Sequence, residues 1–482
     1  MDEYLTAKDV AAWPVASENE LDRDLKKPLR DALKRAGLAS PLQVAGNHFA
    51  MGCVALEITQ RCNLDCTACY LSDMSEAVHD LPLEEVFRRI DLIAAHYGPN
   101  TNVQVTGGDP TLRDRDELIA IITRLSEKNL RAALFTNGIR ATRSLLTDLA
   151  KAGLKDVAFH IDMTQKRKGF ESEEDLNTLR DDYIARAEGL GLQILFNTTV
   201  FEGNIADIPA LARFFTRRAD KVHLASFQMI ADTGRGVDRE RTTAITQARV
   251  MDLISEGAGT PLGFDFPQIG HLECNRYAKC LVAGDDRTTA FSEEDRAFFE
   301  RLLPFSKTLF LDRRRPVTSF FRLASKVSLG DLKLFALGTA YVARKAWRLR
   351  RGLVRGFMRS GRSAHLITFY VHNFMHAHQL KRERCETCVF MTMTRDGPVS
   401  MCVHNAKRNT FILQDIDLSN GNRWNPLGDE TMTAASLPLK RLKGRARRER
   451  TSKRQTNTAK VDGVIGAIET ARRKTARTAK SL

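Results

Sequence analysis

The sequence predicts an α/β protein: a partial (β/α)6 TIM-like barrel with a C-terminal Cys/His-rich metal module and basic appendages. Three observations predict it. Short β-rich runs alternate with amphipathic helical stretches between residues 51 and 240. The nine cysteines cluster along the chain. The positive charge is concentrated in two segments.

Strands are expected over 54–59, 103–106, 132–136, 157–161, 193–200 and 221–228. Helices are expected between them, over 83–96, 116–128, 144–151, 173–188 and 207–218. This alternation argues for parallel βα units, in a barrel or a wound sheet. A full eight-stranded barrel takes about 250 residues, and these six units occupy fewer, so a partial barrel fits better. Residues 1–50 read as an N-terminal leader and 241–310 as a linker region with a Cys pair. Residues 311–362 read as a basic amphipathic segment, 363–430 as the Cys/His module and 431–482 as a basic, disordered tail.

The chain of 482 residues carries a formal charge of +15. Residues 313–362 hold +13 and residues 440–482 hold +12, leaving −10 for the rest. The body is therefore acidic, and the excess positive charge belongs to two appendages. Low aromatic content, 7%, disfavours a base-stacking reader, so nucleic acid is a disfavoured though open partner. The first residues lack a basic stretch followed by an apolar core, so no secretory signal is expected. No apolar run reaches the length of a membrane span. The expected location is cytoplasmic, with docking to the inner face of the membrane left open.

Nine cysteines are too few for a disulfide scaffold, and their grouping points to metal. Just after the first expected strand, LEITQRCNLDCTACY places Cys62, Cys66 and Cys69 in C-x3-C-x2-C spacing. Ordinary electron-transfer clusters take four thiolates, so three on one loop leave one iron of a cubane open for another ligand. The alternative is a zinc site with a distant fourth ligand.

This triplet resembles the signature of the radical S-adenosylmethionine (radical SAM) superfamily. Gly107-Gly108-Asp109-Pro110 stands where that family has Gly-Gly-Glu-Pro. Leu134 to Gly138 closes the third strand as in the family, Asn197 to Val200 lies on the fifth, and Phe227-Gln228 with Gly234-Arg235 ends the sixth. The position before the third Cys, often aromatic in the family, is Ala68, and the aromatic is Tyr70. With GGDPTLRD, these features resemble the branch of archaeal tetraether-lipid synthases and related radical SAM methylases. The resemblance implies a [4Fe-4S] cluster on Cys62, Cys66 and Cys69, with SAM on the open iron. It implies a one-electron reductant, flavodoxin- or ferredoxin-like, and cleavage of SAM to a 5′-deoxyadenosyl radical that removes hydrogen from an unactivated C–H bond. Gly107, Gly108, Asp109, Thr136, Asn137, Asp162, Asn197 and Gln228 are the expected cofactor-side residues. Asp162 closes the fourth strand, where barrel chemistry is found, and a strand-end cap is an equal reading of it. No individual catalytic side chain stands out.

Cys274 and Cys280, then Cys385, Cys388 and Cys402, are expected to serve an auxiliary iron–sulfur cluster with one thiol spare, or a cluster plus a rubredoxin-like iron. A structural zinc is the alternative. Cys53 reads as a small buried hydrophobe. His365, His372, His376, His378 and His404 read as scattered polar residues before metal ligands. In residues 332–359, Leu and aromatic residues interleave with Arg and Lys, as in a helix lying in an anionic membrane interface. The substrate class that follows is a lipid or membrane-associated molecule, by C–C coupling or C-methylation. Peptide or RNA modification and a non-catalytic iron–sulfur scaffold are the competing readings.

Overall fold

The computed structural model describes residues 4–14, 24–236, 244–307, 331–360 and 364–428. Two short leader helices, α1 (Ala7–Ala11) and α2 (Lys27–Arg35), precede the barrel. The six expected strands are present: β1 (Cys53–Thr59), β2 (Asn102–Gly107), β3 (Arg131–Thr136), β4 (Asp156–His160), β5 (Gln193–Val200) and β6 (Val222–Met229). Between them run α3 (Leu83–Tyr97), α4 (Arg115–Glu127), α5 (Arg143–Ala152), α6 (Asn177–Ala187) and α7 (Ile208–Thr216).

Local chemistry sets the boundaries. Asp114 caps α4 by accepting from the Asp116 and Glu117 amides, satisfying donors the helix cannot. Gly153, at φ 114°, ends α5 in the left-handed region. α6 starts four residues later than the expected 173, because Glu173 is spent on tertiary contacts. Its carboxylate accepts from Met163 N at 3.0 Å, Asn204 Nδ2 at 2.7 Å and the buried Arg180.

The sheet extends beyond six strands. After β6 come α8 (Gln247–Ala258), β7 (Asn275–Ala283), β8 (Asp286–Thr289), α9 (Arg296–Ser306), α10 (Leu332–Arg348), α11 (Arg350–Ser360), β9 (His365–Asn373), β10 (Phe390–Thr394) and β11 (Gly397–Ser400). Among the described residues these strands make one eleven-stranded sheet, ordered β11-β10-β1-β2-β3-β4-β5-β6-β9-β7-β8. β10 pairs parallel to β1, and β9 parallel to β6. The run from β10 through β1–β6 to β9 is thus parallel, flanked by antiparallel β11 and β7–β8. The expected Cys/His module supplies β9, β10 and β11 to the same sheet. It was invisible as barrel because its strands are separated from β1 and β6 by long stretches of sequence.

Strand alternation divides the sheet into two faces. Val54, Leu56, Ile58, Val103, Val105, Leu134, Val157, Phe159, Phe196 and Phe227 are fully buried and belong to the main apolar cluster with side chains of α3–α8. The other face mixes polar, small and apolar residues: Ala55 and Glu57 on β1, Gln104 and Thr106 on β2, Phe135 on β3, His160 on β4, Leu195, Asn197 and Thr199 on β5, Leu224, Ser226 and Gln228 on β6. A TIM-barrel interior is ordinarily filled by layers of bulky side chains. These residues leave a lumen of about 490 Å³ instead, within the range of small-molecule sites.

Part of the basic segment packs on the body of the molecule as α10. On α10, Lys345 is buried with Leu334, and Arg344 and the exposed Arg348 pair with acids just before α9. Lys345 Nζ meets Asp295 Oδ2 at 2.5 Å, Arg344 Nη2 meets Asp295 Oδ1 at 2.8 Å and Arg348 Nη2 meets Glu294 at 3.0 Å. The apolar residues Leu332, Phe335, Val342 and Trp347 are exposed. Among the described residues no helix is long and apolar enough to cross a membrane. Residues 311–330 and 361–362 of this segment and the tail from 431 lie outside the described residues.

Candidate active site

Cys62, Cys66 and Cys69 follow β1 on one loop and line one end of the lumen, with Gly107, Gly108, Thr136, Asn137, Asn197 and Gln228. The lumen therefore gathers the triplet and six of the eight expected cofactor-side residues. Asp109 and Asp162 are turned into its wall.

The loop is held from several sides. Thr67 N donates to Thr164 O at 2.8 Å, and Gly236 N donates to Cys69 O at 2.9 Å. Asn137 Nδ2 donates to Asn63 Oδ1 at 2.7 Å and lies 3.9 Å from Cys62 Sγ. Tyr70 Oη donates to Gly107 O at 2.6 Å, tying the loop to the end of β2. A Cβ on Gly234 would stand 2.2 Å from the Tyr70 backbone, so only glycine lets the segment after β6 reach the loop.

The glycine pair at 107 and 108 is required by the protein's own backbone. A Cβ on Gly107 would stand 1.9 Å from Thr59 O, and one on Gly108 would stand 1.9 Å from Arg61 O. The close approach is between the ends of β1 and β2. It seats the cysteine loop directly beside the Gly-Gly turn.

Asp109 is 1% exposed. Its carboxylate accepts from Thr111 N at 3.0 Å, Thr136 Oγ1 at 2.8 Å and Asn137 N at 2.8 Å. It clamps the β2 turn to the end of β3, so its part in the site is to position Thr136 and Asn137. Asp162 is similarly occupied, accepting from Thr164 N at 2.9 Å and Thr199 N at 2.8 Å, with His160 Nε2 at 2.7 Å. Burial pushes the Asp162 carboxyl up, but the His160 charge and these hydrogen bonds outweigh it and hold it at about 2. Asp162 thereby caps the short turn that follows β4. The lumen side chain is His160, with Nδ1 2.9 Å from Asn197 Nδ2, which in turn donates to Gln228 Oε1 at 3.3 Å.

Other residues at the site carried no motif. Glu57 and Arg408 line the same cavity. Arg408 Nη1 reaches both Glu57 oxygens, at 2.8 and 2.7 Å, and its guanidinium lies over the Tyr70 ring at 4.8 Å. Burial works against the Glu57 charge, but Arg408 and His404 prevail and hold its carboxyl at about 2. The available signal for Glu57 was alternation: a carboxylate two residues after Ala55 must face the same side. Arg408 had none, being brought 351 positions along the chain. Ser226 Oγ and Tyr370 Oη line the lumen, buried and without a hydrogen-bond partner among the described residues; such groups call for a ligand or water.

The donor set fits a cluster-bound cofactor. Burial pushes the Cys62 thiol up to about 11 and raises Cys66 further. Arg235 opposes this at Cys62, and Arg167 does so at Cys66. Arg235 is 4% exposed, donates to Glu76 at 2.7 Å and lies beside Cys69. Buried cations are what three thiolates need in order to lose their protons in a low-dielectric site. No three described His, Cys, Asp or Glu side chains converge on a position for a single metal ion. A cubane makes a different demand, placing each thiolate on its own iron.

Comparison with known proteins agrees with this geometry. Residues 56–213 match the Radical SAM superfamily. The Fe-coproporphyrin III synthase of Methanosarcina barkeri is 30% identical over 211 residues, 42% of this chain and 50% of that protein. The 7,8-dihydro-6-hydroxymethylpterin dimethyltransferase of Methanocaldococcus jannaschii is 27% identical over 215 residues, 43% of this chain and 42% of that protein. A PqqA peptide cyclase of Methylorubrum populi is 27% identical over 162 residues, 32% of this chain and 40% of that protein. The chain spans about half the length, or less, of these relatives. The matched region runs from β1 into α7 and holds the cysteine triplet, the Gly-Gly turn, Asn137 and Asn197. Residues 56–213 of this chain thus carry the match to the Radical SAM superfamily, whose domain binds a [4Fe-4S] cluster and SAM.

Proposed function

We propose that this chain is a radical SAM enzyme that abstracts hydrogen from an unactivated C–H bond of a substrate held in the barrel lumen. The observation that carries this reading is the presence of Cys62, Cys66 and Cys69 together in the lining of a lumen of about 490 Å³. When bound, a reduced [4Fe-4S] cluster and SAM supply the one-electron chemistry; the fold supplies position and exclusion of water.

Each part of the chain has a task in this reading. The three thiolates hold the cluster, and Arg235 and Arg167 offset their charge. Gly107, Gly108, Thr136 and Asn137 form the wall nearest the triplet and face the methionine part of SAM. His160, Asn197 and Gln228 form a hydrogen-bonded polar belt across β4–β6 that faces the adenosine or the substrate. Ser226 and Tyr370, with unused polar groups, face the substrate. Arg408 and Glu57 close the lumen beside Tyr70. An external one-electron reductant is required.

The finer reading is a lipid or membrane-associated substrate, modified by C-methylation or C–C coupling. Its support is the exposed apolar side of α10 and the exposed Arg350 and Arg351 that follow it, together with similarity to a dimethyltransferase. A second reading, peptide modification, is favoured by the similarity to a PqqA peptide cyclase.

The test is anaerobic reconstitution with iron and sulfide, reduction, and assay for 5′-deoxyadenosine from SAM. The native chain should form it, and the variant with Cys62, Cys66 and Cys69 replaced by Ala should not. SAM cleavage surviving that replacement would end the proposal.

A further inference from the structure

Charge in the lumen lining is balanced residue by residue. Cys274, Cys280, Cys385, Cys388 and Cys402 stand outside the lining, and its Asp, Glu, Lys and Arg members are Glu57, Arg131, Asp156 and Arg408. Arg408 is held by both oxygens of Glu57. Arg131 is held by both oxygens of Asp156, from Nε at 2.8 Å and Nη2 at 2.5 Å. Asp156 is 6% exposed and Arg408 3%, so little solvent reaches either pair. The two imidazoles add no unmatched charge. Burial lowers His372 to about 3, which leaves it neutral at physiological pH, and His160 has the Asp162 carboxylate behind it at 2.7 Å. Among the described residues, the lining beyond the triplet therefore offers an incoming molecule no unmatched cation and no unmatched carboxylate.

Strand register orders this lining into three rows. Towards the N-terminal ends of the strands, Ala55, Gln104, Ala133, Asp156 and Gln193 are neighbours across β1 to β5. The next row is apolar: Phe135, Ala158, Leu195 and Leu224, across β3 to β6. The third is polar: His160, Asn197, Ser226 and Tyr370, across β4, β5, β6 and β9. Successive rows are two residues, or about 7 Å, apart. The triplet follows the C-terminal end of β1, so the third row is the one on its side of the lumen. The cluster and SAM take that side in the reading above, and the first two rows are left for substrate. Alanines at 55, 133 and 158 hold this half open, where larger side chains would fill it. Ser226, 8% exposed, carries a buried hydroxyl with no hydrogen-bond partner among the described residues, a group that calls for a partner from a ligand or water.

We infer that the half of the lumen remote from the triplet is a subsite for an uncharged substrate group: an apolar body on the Phe135–Leu224 row, carrying a neutral hydrogen-bonding group that Ser226 meets. The inference rests on the radical SAM reading only for the side of the lumen that SAM takes. Selection is by charge. An anionic group entering here loses its water and finds both guanidiniums already committed to carboxylates. Drawing Arg131 away to receive it would leave Asp156 buried and unpaired. A neutral amide or hydroxyl meets neither penalty, and the side-chain amides of Gln104 and Gln193 can hydrogen-bond to it. Asp156 is thus a specificity residue, because it cancels a cation that would otherwise draw phosphates and carboxylates into the lumen.

The test is equilibrium dialysis of the full chain, reconstituted anaerobically and free of SAM, against two probes of one shape. One is 1-naphthaleneacetamide, which is uncharged, and the other is the anion 1-naphthaleneacetate. The amide should bind once per chain, at least about tenfold more tightly than the carboxylate. Ala133→Trp and the smaller change Ala158→Phe, which fill the first two rows, should each abolish amide binding in protein whose circular dichroism is native. Ser226→Ala should weaken amide binding and leave carboxylate binding as it was. Asp156→Asn should raise carboxylate affinity about tenfold, since Arg131 is then unmatched. Where that variant does not fold, Arg131→Gln combined with Asp156→Asn removes both charges and should keep the native preference for the amide. Carboxylate binding as tight as the amide's in the native chain would overturn the inference. So would failure of both probes to bind, or amide binding that survives both lumen-filling variants. Unmoved affinities in folded Asp156→Asn or Ser226→Ala would overturn the roles given to those residues. SAM cleavage is assayed separately on the native chain without probe, so either reading can fail while the other stands.

Discussion

At Asp109 the chain differs from the Gly-Gly-Glu-Pro turn it resembles, and the packing explains why the shorter acid suits this site. The carboxylate is buried and engaged with Thr111, Thr136 and Asn137. Asp109→Glu should therefore destabilise the chain: an extra methylene in a full pocket costs about 1–3 kcal/mol. Asp109→Ala strands buried donors and should cost a similar amount. Both are measurable by urea denaturation, and D109E as stable as the native chain would show that the pocket has room. Glu57 makes a pH-dependent contribution. Its folded pKa, about 2, lies below the unfolded value of about 4.3. The resulting stability is present above about pH 4.3 and is lost as pH falls towards 2. It is on the order of 3 kcal/mol. Glu57→Gln should lose at least this near pH 7, since Arg408 is left buried and unpaired, and the difference from the native chain should narrow below pH 4. A constant difference between pH 7 and pH 3 would refute the assignment. The triplet and the Gly-Gly turn were legible in the sequence because ligand spacing and backbone approach are local demands. Arg408 and the mutual placement of Asp109 and Thr136 were not, because both contacts join separate elements.

Among the elements, α10 departs most from expectation. Periodicity correctly showed one charged and one apolar side but could not say which faced out. Leu334 and Lys345 take the inner side, with Asp295 holding Lys345, and Leu332 at 79% and Trp347 at 68% are left exposed. An apolar helix face followed by exposed Arg350 and Arg351 suits an anionic bilayer, where each basic residue contributes about 1 kcal/mol. The expected outcome is flotation with anionic vesicles and a blue shift of Trp347 emission, both weakened in Phe335→Asp and Trp347→Ser. Equal recovery of native and variant chains in the vesicle-free fraction would remove the support for a membrane-associated substrate.

The whole molecule makes the six-unit barrel dependent on its C-terminal third. β1 pairs with β10, β6 pairs with β9, and Arg408 neutralises Glu57 across the sheet. A chain containing only residues 51–240 should not fold stably, because β1 and β6 become exposed edges and Glu57 an unpaired buried charge. Adding back residues 244–428 in the same chain should restore cooperative unfolding by circular dichroism. A folded 51–240 fragment would contradict this dependence. The succession of βα units and the cysteine triplet were determined by the sequence alone, because each is set by local periodicity or by spacing within one loop. Tertiary structure alone decided that Arg408 meets Glu57, that His160 faces the lumen while Asp162 is sealed in its wall, and that the barrel draws strands from beyond residue 364. Those outcomes depend on contacts between residues tens to hundreds of positions apart, and the packing energy that selects them leaves no periodic mark on the chain.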